Sequence, residues 1–284
     1  MKAGLVVDVM THPDFGRRGI FVQSGLEAFR VAEEQGLMML IGFPNEAAIR
    51  GHLKAGWSEL GRISVLARPL RASALVKRLR GRIGSLSKIS YIADILLVPL
   101  NRLTLRDLTE GYRIEWMRNP DIRAIRGELE PSLERATGRY PNLGTRGIEW
   151  LQWRLSDPLD AAHLLILREN STGTIEGIAV LKIKDKEGLK TGAILDALSV
   201  HRSRRAEVIL LRECMRKSAS EGCELVVRLE SPDRKAAGPV RSLLLLRTSR
   251  TLRFIVRPIG EAQLPREAFA LDSWHVEFID LDVF

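Results

Sequence analysis

Cysteine is nearly absent from this chain, with two residues, Cys214 and Cys223, among 284. Two thiols with no Cys or His at ligand spacing beside them make neither a disulfide framework nor a zinc site. A reduced cytoplasmic interior is the expected setting, and no metal cofactor is expected. Long apolar runs are missing too. The strongest, Ile89 to Leu100, is broken by Asp94 and Pro99 and falls short of the ~20 residues that cross a bilayer. Residues 1–20 lack a basic segment followed by an apolar core and a small-residue cleavage site, so no secretory signal is read.

Charge is what the chain has in excess. Lys plus Arg number 44 against 35 Asp plus Glu, a formal net charge of +9, which welcomes phosphate-bearing cofactors, nucleic acid and acidic lipid headgroups. A solvated basic surface accounts for the same numbers. Hydrophobic residues at 45% and charged residues at 28% describe a globular protein, and the length allows two domains of ordinary size.

Leu5-Val6-Val7-Asp8-Val9 is a β-branched run that stops at the His12-Pro13 turn, the pattern of a buried strand ending in a loop. From Ile20 to about Gln35, Phe21, Val22, Leu26, Phe29 and Ala32 recur at three and four positions and make one apolar helical stripe. Gly36 stands where a C-terminal cap belongs. Leu37 to Phe43 predicts a second strand, Glu46 to Ala55 a second helix, and Ser58 to Leu70 one or two more strands. The order β-α-β-α-β predicts a layered α/β unit whose first two strands are parallel.

From Arg62 to Arg106 ten basic residues accompany one acidic residue, Asp94. Residues 71–110 therefore read as a basic linker or helical arm between a first unit, 1–70, and a second, 111–284. Leu75, Leu79, Ile83 and Leu86 keep helical spacing there, which describes a membrane-surface helix or, the preferred reading, a stripe packed on its own protein. Beyond Gly111, Ala162 to Arg168 and Thr174 to Lys184 read as antiparallel strands around Asn170-Ser171-Thr172-Gly173. Ala193 to Val200 is another strand, Arg204 to about Ser220 a helix, and Glu224 to Leu229 a further strand. This repeats the opening order at an offset of roughly 188 residues, as two copies of one architecture would.

The turn Gly16-Arg17-Arg18-Gly19 joins a strand to a helix and so presents free backbone N–H groups and the positive end of a helix dipole, a natural seat for phosphate oxygens. Gly19 removes a Cβ where backbone must approach an anion, and Arg17 and Arg18 add charge. The run Thr11-His12-Pro13-Asp14-Phe15-Gly16-Arg17-Arg18-Gly19-Ile20-Phe21 is followed in order by Gly42-Phe43-Pro44-Asn45, Lys54-Ala55-Gly56-Trp57 and Arg68-Pro69-Leu70. Over that stretch the chain resembles the GNAT acetyltransferase superfamily, and more narrowly a bacterial two-domain branch.

The resemblance implies tandem GNAT-like α/β folds with a mixed sheet, the first incomplete, and acetyl-CoA as co-substrate. Its pantetheine arm would pair with the backbone around Val9 and Thr11, with Asn45 nearby. Its pyrophosphate would lie on the amides of Arg17, Arg18, Gly19, Ile20 and Phe21. Transfer is direct in this family: an amine attacks the thioester and a nearby acid protonates the thiolate. Many relatives supply that acid as a tyrosine where this chain has His52; a histidine can act as the acid and can equally be structural. Asn45 can also simply cap the second helix. Asp8 and His12 flank the cofactor strand and could assist amine deprotonation.

Two departures matter. Relatives have Arg-Gly where this chain has Gly16-Arg17. A complete domain of this kind also places three strands before the strand equivalent to Leu5 to Val9, and without them that edge would be exposed. An upstream continuation, cover from another chain or from the C-terminal region, or loss of activity would each answer this. In the second half, Arg146-Gly147-Ile148-Glu149-Trp150-Leu151-Gln152-Trp153-Arg154 and the ending Ser273-Trp274-His275-Val276-Glu277-Phe278 to Asp282 are similar to segments of the same branch, the latter to its final strand. The turn Val200-His201-Arg202-Ser203-Arg204-Arg205 lacks glycine, which points away from phosphate binding there.

The expected function is an N-acetyltransferase moving acetyl from acetyl-CoA to a primary amine, an amino sugar or a peptide amine. The alternative is a catalytically weak or inactive CoA-binding or scaffold protein. Homodimerisation is a further expectation, while nucleic-acid and membrane contacts are not expected.

Overall fold

The computed structural model describes residues 2–72, 74, 95, 97, 99–101, 103–157, 161–186, 188–232, 243–261 and 263–281. Most of the basic stretch, including the stripe of Leu75, Leu79, Ile83 and Leu86, lies outside the described residues. The N-terminal half runs β1 (Ala3–Val6), α1 (Ile20–Glu34), β2 (Met39–Gly42), α2 (Ile49–Lys54) and the long β3 (Ser58–Pro69). The first strand stops before the predicted Val9 because the backbone turns out of the extended region at Asp8, whose φ is +53°.

The C-terminal half begins with β4 (Tyr112–Arg118), α3 (Arg126–Thr137), the two-residue β5 (Asn142–Leu143) and α4 (Ile148–Leu155). It continues as β6 (Ala162–Glu169), β7 (Ile175–Lys186), β8 (Leu189–Ser199), α5 (Arg204–Ser220), β9 (Leu225–Leu229), β10 (Leu246–Pro258) and β11 (Trp274–His275). Helix α5 starts where its sequence says it should. The Ser203 side chain accepts from the Ala206 N–H, and Ile209, Leu210 and Cys214 then fall on one face at helical spacing.

Nine strands form one sheet in the order β1-β2-β10-β3-β9-β8-β7-β6-β4. The pairs β1/β2 and β8/β9 are parallel and the other described pairs antiparallel. The order is a pseudo-twofold about the central β10/β3 pair: outward on one side come β2 and β1, on the other β9 and β8. Each half's last long strand has crossed over. β10 lies between β2 and β3 of the N-terminal half, and β3 lies between β10 and β9 of the C-terminal half. The repeat seen in the sequence is therefore a repeat of structure, and it extends to β3 and β10.

Beyond β8 the C-terminal half continues into β7, β6 and β4, whereas β1 ends the sheet on its side. Of the covers considered for that edge, the C-terminal region does not supply one among the described residues. It inserts in mid-sheet instead. Helices α3 and α4 bury Leu129, Leu133, Leu151 and Leu155 on one face of the strands, against Leu164, Ile166 and Val180. Helix α5 covers the opposite face, against Leu165, Leu167, Ala179 and Leu181. The consecutive residues 164–167 thus divide between two cores, as strand alternation requires of a sheet buried on both sides. A smaller core joins Ala32 of α1 to Leu40, Trp57 and Ile255. No helix among the described residues is long and apolar enough to cross a membrane.

Candidate functional site

The parallel pair β1/β2 is hydrogen-bonded from Ala3↔Met39 to Val6↔Gly42 and no further. Past Val6 the chain through Val9 and Thr11 has left the sheet, and it makes no sheet pairing among the described residues. It then closes a short 3-10 turn, Pro13–Phe15, in which the Phe15 N–H donates to the His12 carbonyl and Gly16 N–H to that of Pro13. Two left-handed residues follow, Arg17 at φ +62° and Gly19 at φ +76°. They swing the backbone into α1.

The ladder of α1 begins with Val22 and Gln23, both donating to the Gly19 carbonyl. The amides of Gly19, Ile20 and Phe21 are the orphan donors of a helix N-terminus. Gly19 is the N-cap and supplies no side chain to occupy them. A Cβ at Gly19 would meet no heavy atom within 4 Å, so the space in front of these donors is open. Arg17 and Arg18 are exposed beside it, and the Arg18 guanidinium lies 5.1 Å from the Phe15 ring centre. Free N–H groups, the positive end of the helix dipole and two nearby exposed cations make this end chemically suited to an anion.

The related turn in the other half is built the opposite way. At the start of α5 the Ser203 hydroxyl takes the Ala206 amide at 3.3 Å, and the Ser203 amide itself donates to the Ser199 hydroxyl at 2.9 Å. Two amides of that N-terminus are thus taken by side chains of its own chain.

His52 sits on α2 with 8% of its surface exposed. Its ring meets Phe21 edge-on at 5.0 Å and Trp57 at 5.2 Å, and Trp57 in turn packs on Phe29 at 5.9 Å. Burial lowers its pKa and keeps the imidazole neutral. The structure thus brings His52 into contact with Phe21, the last of the turn's orphan amides. Gly51 makes the contact possible, since a Cβ there would lie 2.6 Å from the Phe21 ring. Asn45 does what a cap does: its Oδ1 accepts from the amides of Ala47 and Ala48 at 3.0 and 2.9 Å. Asp8 and His12 are both exposed, and His12 faces Asp14 at 3.6 Å.

Sequence reasoning did not find the buried polar cluster of the C-terminal half, although it singled out the two segments that build it. Strands β8 and β9 pair only over Thr191↔Leu225 to Ala193↔Val227. An extra residue in β8, Leu195, breaks register against β7 and re-aims Asp196. Asp196 accepts from Arg146 Nε at 2.7 Å, and Arg146 also donates to both carboxylate oxygens of Asp280, at 2.6 and 2.9 Å. The two acids hold Arg146 firmly protonated, and Arg146 brings Asp196 down to about 2 despite complete burial. Beside them His275 Nδ1 lies 3.2 Å from the Ser231 hydroxyl, and Arg228 pairs with Glu277. Burial pushes Glu277 up to about 7. The ending predicted as a last strand contributes only Trp274–His275, paired with β5 in a separate two-stranded sheet. A lone Arg or Asp in a segment carries no signal that it will be buried; only the bulge and the return of the chain bring them together.

No family model matches the chain, and no curated protein matches its sequence. Solved structures do match its fold. A GCN5-related N-acetyltransferase from Anabaena variabilis aligns over 87% of this chain and 53% of its own, with a TM-score of 0.57 at 12% identity. One from Sphaerobacter thermophilus aligns over 89% and 72%, with a TM-score of 0.52 at 18% identity. A tandem GNAT protein from the clavulanic acid biosynthesis pathway aligns over 91% and 76%, with a TM-score of 0.54 at 12% identity. The chain spans about half the length of the Anabaena protein. The fold is that of GNAT N-acetyltransferases, and a tandem GNAT is among the structures that share it.

Proposed function

We propose that the chain is an N-acyltransferase of the GNAT type that takes its acyl group from acetyl-CoA through the N-terminal half. The observation that carries this reading is the contrast between the two helix N-termini: α1 has no side-chain cap at Gly19, while at α5 the Ser203 and Ser199 hydroxyls take two of the amides. The amides of Gly19, Ile20 and Phe21 would hold the diphosphate, and Arg17 and Arg18 the remaining phosphate charge. The unpaired backbone at Val9 and Thr11 would take the pantetheine amides. Acetyl-CoA would supply the thioester on which a primary amine of a sugar or peptide acts. Within this chain, His52 would be the titratable side chain nearest the turn; burial favours its neutral form, so it would first take a proton from the attacking amine and then return it to the departing thiolate.

Calorimetric titration with CoA, alongside thiol release from acetyl-CoA in the presence of amines, tests the reading. Arg17→Gln with Arg18→Gln should weaken CoA binding by at least tenfold. His52→Phe should leave binding intact while lowering thiol release by tenfold or more. No CoA binding at any accessible concentration would remove the proposal. Binding without release for any amine would instead favour a CoA-binding scaffold.

A further inference from the structure

The sheet ends on two edges of opposite character. Strand β4 closes one side with Arg113, Glu115 and Arg118 along its length, and Arg113 pairs with Glu115 at 2.7 Å. Charges on an edge resist the addition of another strand. Strand β1 closes the other side as Ala3-Gly4-Leu5-Val6, and no charge stands between Lys2 and Asp8.

The backbone of β1 shows which groups are left over. The Lys2 carbonyl accepts from the Met38 N–H and so points at β2. Alternation then turns Gly4 and Val6 toward β2 and Ala3 and Leu5 outward, where no strand meets them among the described residues. Apolar side chains line the same edge: Leu5, Val7 and Val9 are each at least 40% exposed. Leu5 lies on the face away from α1. It stands beside Ile41, which packs on the core under α3 and α4, whereas Val6 packs on the core of α1.

The other half of the molecule shows what such an edge accepts. Strand β8 holds the place of β1 in the pseudo-twofold and pairs in parallel with β9 as β1 does with β2. On its outer side it takes an antiparallel strand, β7. The sequence of β1 fits an antiparallel copy of itself. Reversed about Leu5, the run Lys2-Ala3-Gly4-Leu5-Val6-Val7-Asp8 sets Leu5 against Leu5, Ala3 against Val7, Gly4 against Val6 and Lys2 against Asp8. Small residues meet branched ones, and opposite charges meet at both ends. The same register puts outward-facing backbone opposite outward-facing backbone, as a hydrogen-bonded antiparallel pair requires.

We propose that a second copy of this chain docks on β1, antiparallel and across a twofold axis at Leu5, so that one sheet runs through both protomers. Leu5 exchanges N–H and C=O bonds with Leu5 of the partner subunit, and Lys2 faces Asp8 of the partner subunit. The interface does not rest on the acyltransferase reading.

Sedimentation velocity on the full chain over a concentration series should resolve a monomer–dimer equilibrium with no larger species, because a twofold interface closes on itself. Leu5→Pro removes an N–H that faces outward and none that β2 uses, so it should weaken the dimer at least tenfold with the circular dichroism unchanged. Lys2→Glu and Asp8→Lys should each weaken it at least threefold by setting like charges opposite, and the double variant should recover to within twofold of the parent. If Leu5→Pro fails to fold, that charge series decides. Under mild oxidation Leu5→Cys should cross-link at least tenfold faster than Leu26→Cys, which is exposed on α1, the native Cys214 and Cys223 being buried. A monomer at every concentration would leave this edge to a different protein and overturn the proposal. A dimer indifferent to Leu5→Pro and to charge reversal, a double variant that does not recover, or equal cross-linking at the two positions would each do the same.

Discussion

Arg17 occupies a backbone position that suits glycine. Its φ of +62° is left-handed, a conformation that costs a residue with a Cβ roughly 1–2 kcal/mol. The pattern this turn resembles has its glycine at that very position, and here glycine and arginine are exchanged. Arg17→Gly should accordingly raise stability by about 1 kcal/mol in denaturant titration, while weakening CoA binding if the side chain contributes charge. No gain in stability would show that the turn is relaxed as it stands. A second residue-level consequence lies at Glu277, whose folded-state pKa of about 7 is raised above its unfolded value by burial. A raised carboxylate adds stability below the unfolded pKa and loses it as pH rises toward 7. Glu277→Gln should therefore gain on the parent in melting temperature between pH 5 and pH 8, and a difference constant with pH would refute the assignment. Arg146 has both of its acids buried or nearly so. Arg146→Met leaves Asp196 and Asp280 facing each other without their cation, and a loss of about 3–5 kcal/mol is expected.

The elements were legible to different degrees, and the reasons are physical. Helix α5, expected from Arg204 to about Ser220, spans Arg204–Ser220, because its cap at Ser203 and its apolar face are local features. Strands β6 and β7 were read nearly as well because an Asn-Ser-Thr-Gly turn separates two apolar runs. Strand β10 was not read at all. Its sequence, Leu246 to Pro258, carries arginine at 247, 250, 253 and 257 and is mostly exposed over its first half. Only its partners on both sides reveal it as a central strand. The candidate site divides in the same way: the glycine turn was visible as a motif, whereas the packing of His52 between Phe21 and Trp57 depends on how α2 lies on α1. Capping gives an element-scale test. Ser203→Ala should cost about 1 kcal/mol, as loss of an N-cap does, with CoA affinity unchanged. A fall in CoA affinity in that variant would move the cofactor to the C-terminal half.

At the scale of the whole molecule, the exchange of β3 and β10 ties the halves into one cooperative unit. Their mutual pairing runs from Leu246↔Ala67 to Val256↔Ser58, and it also completes the bonding of β2 and β9. Residues 1–110 and 111–284 expressed separately should each fail to show a cooperative melt, whereas co-expression should recover a heterodimer with the circular dichroism of the intact chain. A cooperative transition in either half alone would contradict this. The same exchange bears on how the chain leaves the ribosome. β2 and β3 emerge early but cannot be neighbours until β10 arrives to lie between them, nearly two hundred residues later. At about 5–20 residues per second this is on the order of ten to forty seconds. For that interval two strands with unsatisfied inner edges wait on the nascent chain. The short length of β2 then has a use during synthesis that the finished sheet conceals: four residues offer a poor template for a wrong partner until the last long strand closes the gap.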